Sequence, residues 1–345
     1  MASFMNKYLT IVIPTYNREN QLIRLLRSIE NQNAIDKYSI VILNNNSDYS
    51  VETSIGNHFS GSFLSNIEVY NRPYNSGGDY NISSAFLFAK SQYLWIIGDD
   101  DEVVDGCFDI IEDNINKKPD CPIFKYMIKG YSFFNEDVTI ANIEEFEDCY
   151  KKRYFTSGDI IFVSNNIYNL DLLKESIPIS LYYSYSSIPQ SLQILYCIVT
   201  ETPFILSCKE IVKYNEPDGD HWNYTKISTS FSTILDINID DKYDVVRRFF
   251  SVISNHFEIV DFLNGCLSID NKQYRKYVSK KCVNTLFSNR GISRYFVYYL
   301  FCMESMIGLK VFSVGYVASV KFLSSCDTKV RVFFYPLYRM IKNLL

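Results

Sequence analysis

Residues 93–101, YLWIIGDDD, join a short apolar run to three consecutive carboxylates. An apolar run of this length, with branched and aromatic side chains, predicts a buried β-strand over residues 93–97. Gly98 ends that strand, and the three aspartates follow it directly. Adjacent like charges raise each other's pKa, and a divalent cation would offset their repulsion. The alternative is a solvated turn or a helix start, where the helix dipole favours acids.

The chain before this stretch alternates strands and helices. Predicted strands cover residues 8–13, 39–43 and 67–70, and predicted helices cover residues 19–31 and 79–90. Such alternation predicts an α/β fold with a mostly parallel sheet covered by helices on both faces. A polar cluster follows each of the four strands, at residues 14–18, 44–48, 72–81 and 98–101. Because ligands bind beyond the carboxyl ends of parallel strands, the four clusters predict one binding rim.

The composition predicts a folded protein with a substantial core, since 47% of the 345 residues are hydrophobic and 21% are charged. We expect an α/β domain at residues 1–225 and a helical region at residues 226–345. A net charge of -5 argues against nucleic acid as a partner. Nine scattered cysteines without a C-x-x-C pair, and no apolar signal segment before the first strand, predict reduced thiols in the cytoplasm.

Four motifs together resemble one enzyme family. Residues 11–18, IVIPTYNR, are similar to the opening motif of family-2 glycosyltransferases, and residues 44–48 stand where that family carries its nucleoside loop, Asp-x-x-Ser-x-Asp. Residues 75–81 and 93–101 resemble a subgroup, the bacterial abequosyltransferase-like enzymes, which add a 3,6-dideoxyhexose during O-antigen assembly. The resemblance covers roughly the first third of the chain. It implies the GT-A (Rossmann-like) fold, while the helical C-terminal extension is expected from the pattern of the later residues.

The resemblance also implies a donor site for a nucleotide-sugar. Asp99 and Asp101 would hold Mn²⁺ or Mg²⁺ against the diphosphate, and His221 would be a third metal ligand. The residues that would contact the nucleotide-sugar are Pro14, Thr15, Tyr16, Arg18, Asn44, Asp48, Asp79, Asp99 and Asp100. Ordinary structural roles remain open for several of them: Tyr16 as packing at a strand end, Arg18 as a solvated charge, and Asp79 as a helix cap.

Asn44 departs from the family, which usually has an acid at this position to accept the N3–H of uracil. A carboxamide offers both a donor and an acceptor. The NH₂ group suits N3 of cytosine, and the oxygen suits its amino group. Asn44 therefore favours a CDP-sugar, whereas a simple turn-capping role would leave a UDP- or dTDP-sugar equally open.

The second half of the chain offers candidates for the acceptor side of the reaction. The candidate catalytic bases are Asp159, Asp218 and Asp220. Residues 303–345 carry many aromatic and basic side chains, which suits peripheral contact with anionic lipid or, equally, a homo-oligomer. Lipid contact at the cytoplasmic face of the inner membrane would suit a lipid-linked oligosaccharide acceptor.

These patterns lead to one expected function and two competitors. We expect metal-dependent transfer of a hexose or a 3,6-dideoxyhexose, with abequose from a CDP-sugar as the specific hypothesis, onto a lipid-linked O-antigen acceptor. A nucleotidyltransferase would need a glycine-rich phosphate loop after the first strand, and residues 14–18 contain no glycine. A non-catalytic nucleotide-sugar-binding module remains the alternative from another class.

Overall fold

A computed structural model describes residues 7–130, 134–215, 226–227, 230–255 and 269–284. The chain divides into two compact units, one made of residues 1–219 and 237–253, the other of residues 220–236 and 254–345. Residues 237–253 therefore count with the first unit, although they follow the boundary expected near residue 225.

The first unit is built on one large sheet. The strands are β1 (Leu9–Thr15), β2 (Tyr38–Asn44), β3 (Ile67–Asn71), β4 (Tyr93–Ile96), β5 (Glu102–Val103), β6 (Ile123–Tyr126), β7 (Val138–Ile140), β8 (Asn166–Asn169), β9 (Phe204–Ser207) and β10 (Val212–Lys213). Eight of them form the sheet in the order β3-β2-β1-β4-β8-β6-β9-β7, while β5 and β10 form a separate antiparallel pair. The strands β3, β2, β1 and β4 are parallel to their neighbours, β6 is parallel to β9, and β8 and β7 are antiparallel.

Helices follow many of the strands, and the predicted α/β fold with a mostly parallel sheet is confirmed. In chain order they are α1 (Glu19–Glu30), α2 (Val51–His58), α3 (Gly61–Leu64), α4 (Gly78–Phe88), α5 (Cys107–Lys117), α6 (Ile143–Lys151), α7 (Ser157–Ile161), α8 (Ile177–Tyr182), α9 (Leu192–Val199), α10 (Tyr243–Ser254) and α11 (Lys272–Asn284). Short 3₁₀ turns lie at Ser184–Ser186, Pro189–Ser191 and Phe231–Asp236. No helix in the described ranges is long and apolar enough to span a membrane.

The centre of the sheet is fully covered. Apolar side chains along β1 and β4 are inaccessible to solvent, with Trp95 of β4 the largest of them. Helix α1 buries one face of five residues, Leu22, Ile23, Leu25, Leu26 and Ile29. Each such side chain contributes about 1.5–3 kcal/mol when it leaves water. This packing makes β1 and β4 a rigid base for the loops that follow them.

One lysine lies inside this core. Lys125 of β6 is fully buried, and its Nζ donates to Oδ1 of Asn165 at 2.9 Å and Oδ1 of Asn166 at 3.2 Å. Burial lowers the pKa of Lys125 to about 7, against the opposing attraction of Asp159. Both asparagines lie where the chain enters β8, so the lysine ties β6 to the start of that strand.

Candidate functional site

The three aspartates follow β4 at the carboxyl edge of the parallel strands. Asp99 and Asp101 are buried, at 3% and 2% exposure. Gly98 leaves space for the carboxylates of Asp100 and Asp101, because a Cβ at this position would lie 3.0 Å from Oδ1 of Asp100 and 3.2 Å from Oδ2 of Asp101. Buried carboxylates are costly unless they are hydrogen-bonded or paired with a cation.

Thr15, the last residue of β1, and Arg18, three residues later, bind the first two aspartates of the acidic run. The hydroxyl of Thr15 donates to Oδ2 of Asp99 at 2.7 Å. The Nη1 of Arg18 donates to Oδ1 of Asp99 at 2.9 Å and to Oδ2 of Asp100 at 2.8 Å. The Arg18 guanidinium thus supplies positive charge to two of the three aspartates, while 37% of its side chain stays exposed.

A different segment holds Asp101. The Oγ of Ser164, just before β8, donates to Oδ2 of Asp101 at 2.6 Å and accepts from the backbone N–H of Gly98 at 2.8 Å. Since β8 is antiparallel to β4, its start lies at the edge where β4 ends. Two distant parts of the chain therefore meet at the acidic run.

Burial shapes the electrostatics of these carboxylates. It raises the pKa of Asp99 to about 6, against the Arg18 charge and the Thr15 hydrogen bond, and it raises the pKa of Asp101 to about 7, against the Ser164 hydrogen bond. A bound divalent cation would favour the ionised forms.

The donor set fits a hard cation. Among the described residues, no three His, Cys, Asp or Glu side chains are grouped so that they could hold a metal ion by themselves. Mg²⁺ and similar ions are commonly bound by one or two carboxylates, with water and substrate phosphates completing the coordination. Asp99 and Asp101 match that pattern.

The loop after β2 is held by its own side chains. Asn44 is 4% exposed; its Oδ1 accepts from the backbone N–H of Ser47 at 2.9 Å, and its Nδ2 donates to Oδ1 of Asn71 at 2.7 Å. These bonds give Asn44 the turn-capping role named as an alternative. The bond to Asn71 uses one of the two N–H groups of the carboxamide.

Asn17 joins the loops after β1 and β2. Its side chain pairs with Asp48, donating from Nδ2 to Oδ2 and accepting the Asp48 backbone N–H at Oδ1, both at 2.8 Å. Its own backbone N–H donates to Oγ of Ser47 at 2.9 Å. Asn17 has a φ of 54°, in the left-handed region that asparagine tolerates better than most residues. The pair holds Asp48 beside the end of β1.

The loop after β3 is anchored by Arg72. The Nε of Arg72 donates to Oδ1 of Asn81 at 2.9 Å, and its guanidinium lies 5.0 Å from the centre of the Tyr80 ring. The N-cap of α4 is Gly77, with a φ of 86°, and Asp79 lies in the first turn of that helix. The helix-cap role left open for Asp79 therefore belongs to Gly77, and Asp79 complements the positive end of the helix from its first turn.

Backbone contacts place three of the polar clusters side by side, and the bond from Thr15 to Asp99 adds the fourth. The N–H of Asn45 donates to the carbonyl of Thr15, and the N–H of Arg72 donates to the carbonyl of Asn44, each at 2.9 Å. Tyr16, which directly follows β1, is 42% exposed. Pro14 is half-buried at the end of β1. The four polar clusters expected at one rim therefore lie together at one edge of the sheet.

The other candidates are placed less directly. Asp159 is buried in α7, where its Oδ2 accepts from the backbone N–H of Thr156 at 2.6 Å and from its hydroxyl at 2.8 Å, in a capping box. This gives Asp159 a structural task at a helix start. Asp218, Asp220 and His221 lie outside the described residues, as does the aromatic and basic segment 303–345.

Three residues of the site carry no recognisable signal in the sequence. Ser164 is one. The others are Arg24, whose Nη2 donates to the Asp100 carbonyl at 2.6 Å, and Asn215, whose Nδ2 donates to the same carbonyl at 3.1 Å. Arg24 lies on the exposed side of α1, six residues after Arg18, and no motif marks it.

Comparison with known proteins agrees with this architecture. Residues 10–172 match the family described as glycosyl transferase family 2. The structure of S. aureus TarS superposes with a TM-score of 0.54 at 14% identity, over 80% of this chain and 49% of TarS, so the chain spans about half the length of that protein. S. aureus TarS 1-349 in complex with UDP-GlcNAc superposes with a TM-score of 0.54 at 14% identity, over 86% of this chain and 91% of that one. At these identities the likeness shows the fold alone. No curated protein matches the chain in sequence.

Proposed function

We propose that the protein transfers a sugar from a nucleotide-sugar to an acceptor hydroxyl, because residues 10–172 match the family described as glycosyl transferase family 2. One observation carries this proposal. Two buried carboxylates, Asp99 and Asp101, lie at the same sheet edge as the polar loops after β1, β2 and β3. A charged diphosphate needs a cationic partner there, and a nucleoside needs a polar cleft beside it.

Asp99 and Asp101 are the residues that would hold Mn²⁺ or Mg²⁺. Such a cation, when bound, would neutralise the nucleoside diphosphate as it leaves the sugar. The protein's own residues prepare the site: Thr15 and Ser164 orient the two carboxylates, and the Arg18 guanidinium provides a positive charge next to them. We propose that Arg18 also contacts the diphosphate, which a partly exposed guanidinium can reach.

The nucleoside would occupy the surface beside these carboxylates. Tyr16, which is partly exposed, would stack on the base or ribose. Further contacts would come from Pro14, Thr15, Asn44, Asp48, Asp79 and Asp100. The pairing of Asn17 with Asp48 supports this proposal, because it holds the nucleoside loop in one position before the ligand arrives.

We propose a CDP-sugar as the donor, with UDP- and dTDP-sugars as the alternatives. The Asn44 bond to Asn71 leaves the carboxamide with a second N–H for cytosine N3. An Asn44→Asp variant should bind UDP more tightly and CDP more weakly than the wild type does in calorimetric titration. Tighter binding of UDP than of CDP by the wild-type protein would rule out the cytosine assignment.

We propose a hexose or a 3,6-dideoxyhexose such as abequose as the sugar. The acceptor would be a lipid-linked O-antigen oligosaccharide at the cytoplasmic face of the inner membrane. Asp218, Asp220 or Asp159 would act as the base, and His221 would complete the metal site. Residues 303–345 would contact anionic lipid or a second copy of the chain. Co-sedimentation with phosphatidylglycerol vesicles, set against sedimentation velocity without lipid, separates these last two roles.

The test of the reaction is a donor screen with Mn²⁺ and CDP-, UDP-, GDP- and dTDP-sugars, measured as release of nucleoside diphosphate. Asp99→Asn and Asp101→Asn should each lose at least ~100-fold in kcat/KM, since each removes a charge from the diphosphate site. Asp113→Asn, which removes an exposed carboxylate paired with Lys117, is the matched control. Full activity in Asp101→Asn would exclude the metal assignment. Nucleotide binding without turnover of any donor would instead favour a binding module.

A further inference from the structure

Ser164 makes three hydrogen bonds at the end of β4. Its hydroxyl donates to Asp101 and accepts from the Gly98 N–H, and its carbonyl accepts from Nε1 of Trp95 at 2.7 Å. The residue has no exposed surface. Both its backbone and its side chain are therefore tied to the strand that presents the acidic run, although 63 residues separate it from Asp101.

The three aspartates differ in how their charge is compensated. Arg18 serves Asp99 and Asp100. In the described part of the chain, the groups that stabilise the Asp101 carboxylate by hydrogen bonding are neutral, namely the Ser164 hydroxyl and the backbone of Asn215. A neutral donor orients a carboxylate and leaves its negative charge available to a cation.

We propose that Ser164 is the positioning residue for Asp101, and that its hydroxyl orients this carboxylate towards the divalent cation of the proposed site. This inference rests on the proposed function and names the residue outside the acidic run that makes the metal site. Thr15 has the corresponding place beside Asp99, but there the Arg18 charge is present as well.

The surroundings lock Ser164 in this position. A Cβ on Gly98 would make an ordinary contact with the Ser164 Oγ, at 3.5 Å, but would lie only 3.2 Å from Oδ2 of Asp101, so the glycine leaves space for the carboxylate that the hydroxyl binds. The next two residues, Asn165 and Asn166, are held by the buried Lys125. Side chains fixed by such outer contacts place a ligand more accurately than a free loop does.

The experiment measures Mn²⁺ affinity directly, by electron paramagnetic resonance titration in the presence of CDP or UDP and without a sugar donor. Ser164→Ala should weaken Mn²⁺ binding by ~10–100-fold, the usual effect of losing an outer partner of a metal ligand. Ser164→Thr keeps the hydroxyl and should restore most of the affinity. If threonine cannot be accommodated, Ser164→Cys, which adds no methyl group and keeps a weak donor, should bind Mn²⁺ with an affinity between those of Ser164→Ala and the wild type.

Ser191→Ala is the matched control. Ser191 is equally buried, and its hydroxyl donates to the carbonyl of Ile160 at 2.8 Å. It should alter the unfolding midpoint as Ser164→Ala does, with Mn²⁺ affinity unchanged. In steady-state assays, Ser164→Ala should raise the Mn²⁺ concentration that gives half-maximal activity, and kcat at saturating Mn²⁺ should fall much less.

Two results would contradict the inference: one would exclude only the role of Ser164, and the other would also exclude the proposed function. If Ser164→Ala binds Mn²⁺ as tightly as Ser191→Ala while the wild type binds and transfers normally, the positioning role is wrong and the proposed function stands. A wild-type protein that binds no Mn²⁺ and turns over no donor would overturn both.

Discussion

Replacing Lys125 with methionine removes a charge from the interior of the sheet. Lys125 is fully buried on β6, and burial lowers its pKa from 10.5 to about 7. In the unfolded chain the ammonium group is hydrated and keeps its ordinary pKa. Between pH 7 and pH 10.5 the unfolded chain therefore binds more protons than the folded one, so this lysine makes stability rise with pH across that window.

The size of the effect follows from the two pKa values. Each unit of pKa difference corresponds to about 1.4 kcal/mol, so the whole window is worth about 5 kcal/mol as an upper limit. Between pH 7 and pH 9 the same relation yields about 2 kcal/mol. No discount for solvent screening applies, because the side chain has no exposed surface.

Methionine has nearly the same length and no charge. It removes the pH-dependent penalty, and it also removes the donor to Oδ1 of Asn166, which costs about 1–3 kcal/mol at every pH. Asn165 keeps a partner for its Oδ1, because Nδ2 of Asn166 donates to it at 3.2 Å. We therefore expect the free energy of unfolding of Lys125→Met to equal or exceed that of the wild type at pH 7. As the pH rises, it should fall relative to that of the wild type.

Urea unfolding followed by tryptophan fluorescence at pH 7, 8 and 9 measures this difference. The free energy of unfolding of the wild type minus that of Lys125→Met should increase by about 2 kcal/mol from pH 7 to pH 9. Lys174→Met, at a lysine with 72% side-chain exposure, controls for the loss of a positive charge. Parallel pH curves for the wild type and Lys125→Met would refute the reasoning, because they would mean that the buried lysine is not depressed in pKa.

Other perturbations address the rim. Gly98→Ala places a Cβ 3.0 Å from Asp100 Oδ1 and 3.2 Å from Asp101 Oδ2; we expect kcat/KM to fall ~10–100-fold, and unaltered kinetics would contradict this. Asn17→Ala and Asn17→Gly both lose the bond to Asp48, but only glycine adopts a φ of 54° without strain. In thermal unfolding, Asn17→Ala should therefore be less stable than Asn17→Gly by roughly 1 kcal/mol. Equal stabilities would exclude backbone strain. Mn²⁺ with CDP should raise the wild-type Tm and leave Asp101→Asn unchanged.

Local patterns accounted for the fold of the first half because they depend on neighbours in the chain. The apolar run before Gly98 and the apolar stripe of α1 each report burial without knowledge of any partner. The position of the acidic run was predictable for the same reason, since three carboxylates beyond a buried strand need compensation wherever the strand lies in the sheet. In the second half, Thr156-x-x-Asp159 has the spacing of a capping box, and the contacts between the two residues show that Asp159 has this structural role.

The sequence by itself determined that four strands end in polar clusters, and that YLWIIGDDD places three acids beyond one of them. Only the tertiary structure decided which partner each acid has: Arg18 for Asp99 and Asp100, and Ser164 for Asp101. Periodicity records which side of an element is buried, because burial repeats along the element. Contacts between segments more than sixty residues apart produce no periodic pattern in the sequence. The role of Ser164 in orienting Asp101 is therefore visible only in the structure, where β8 lies beside β4.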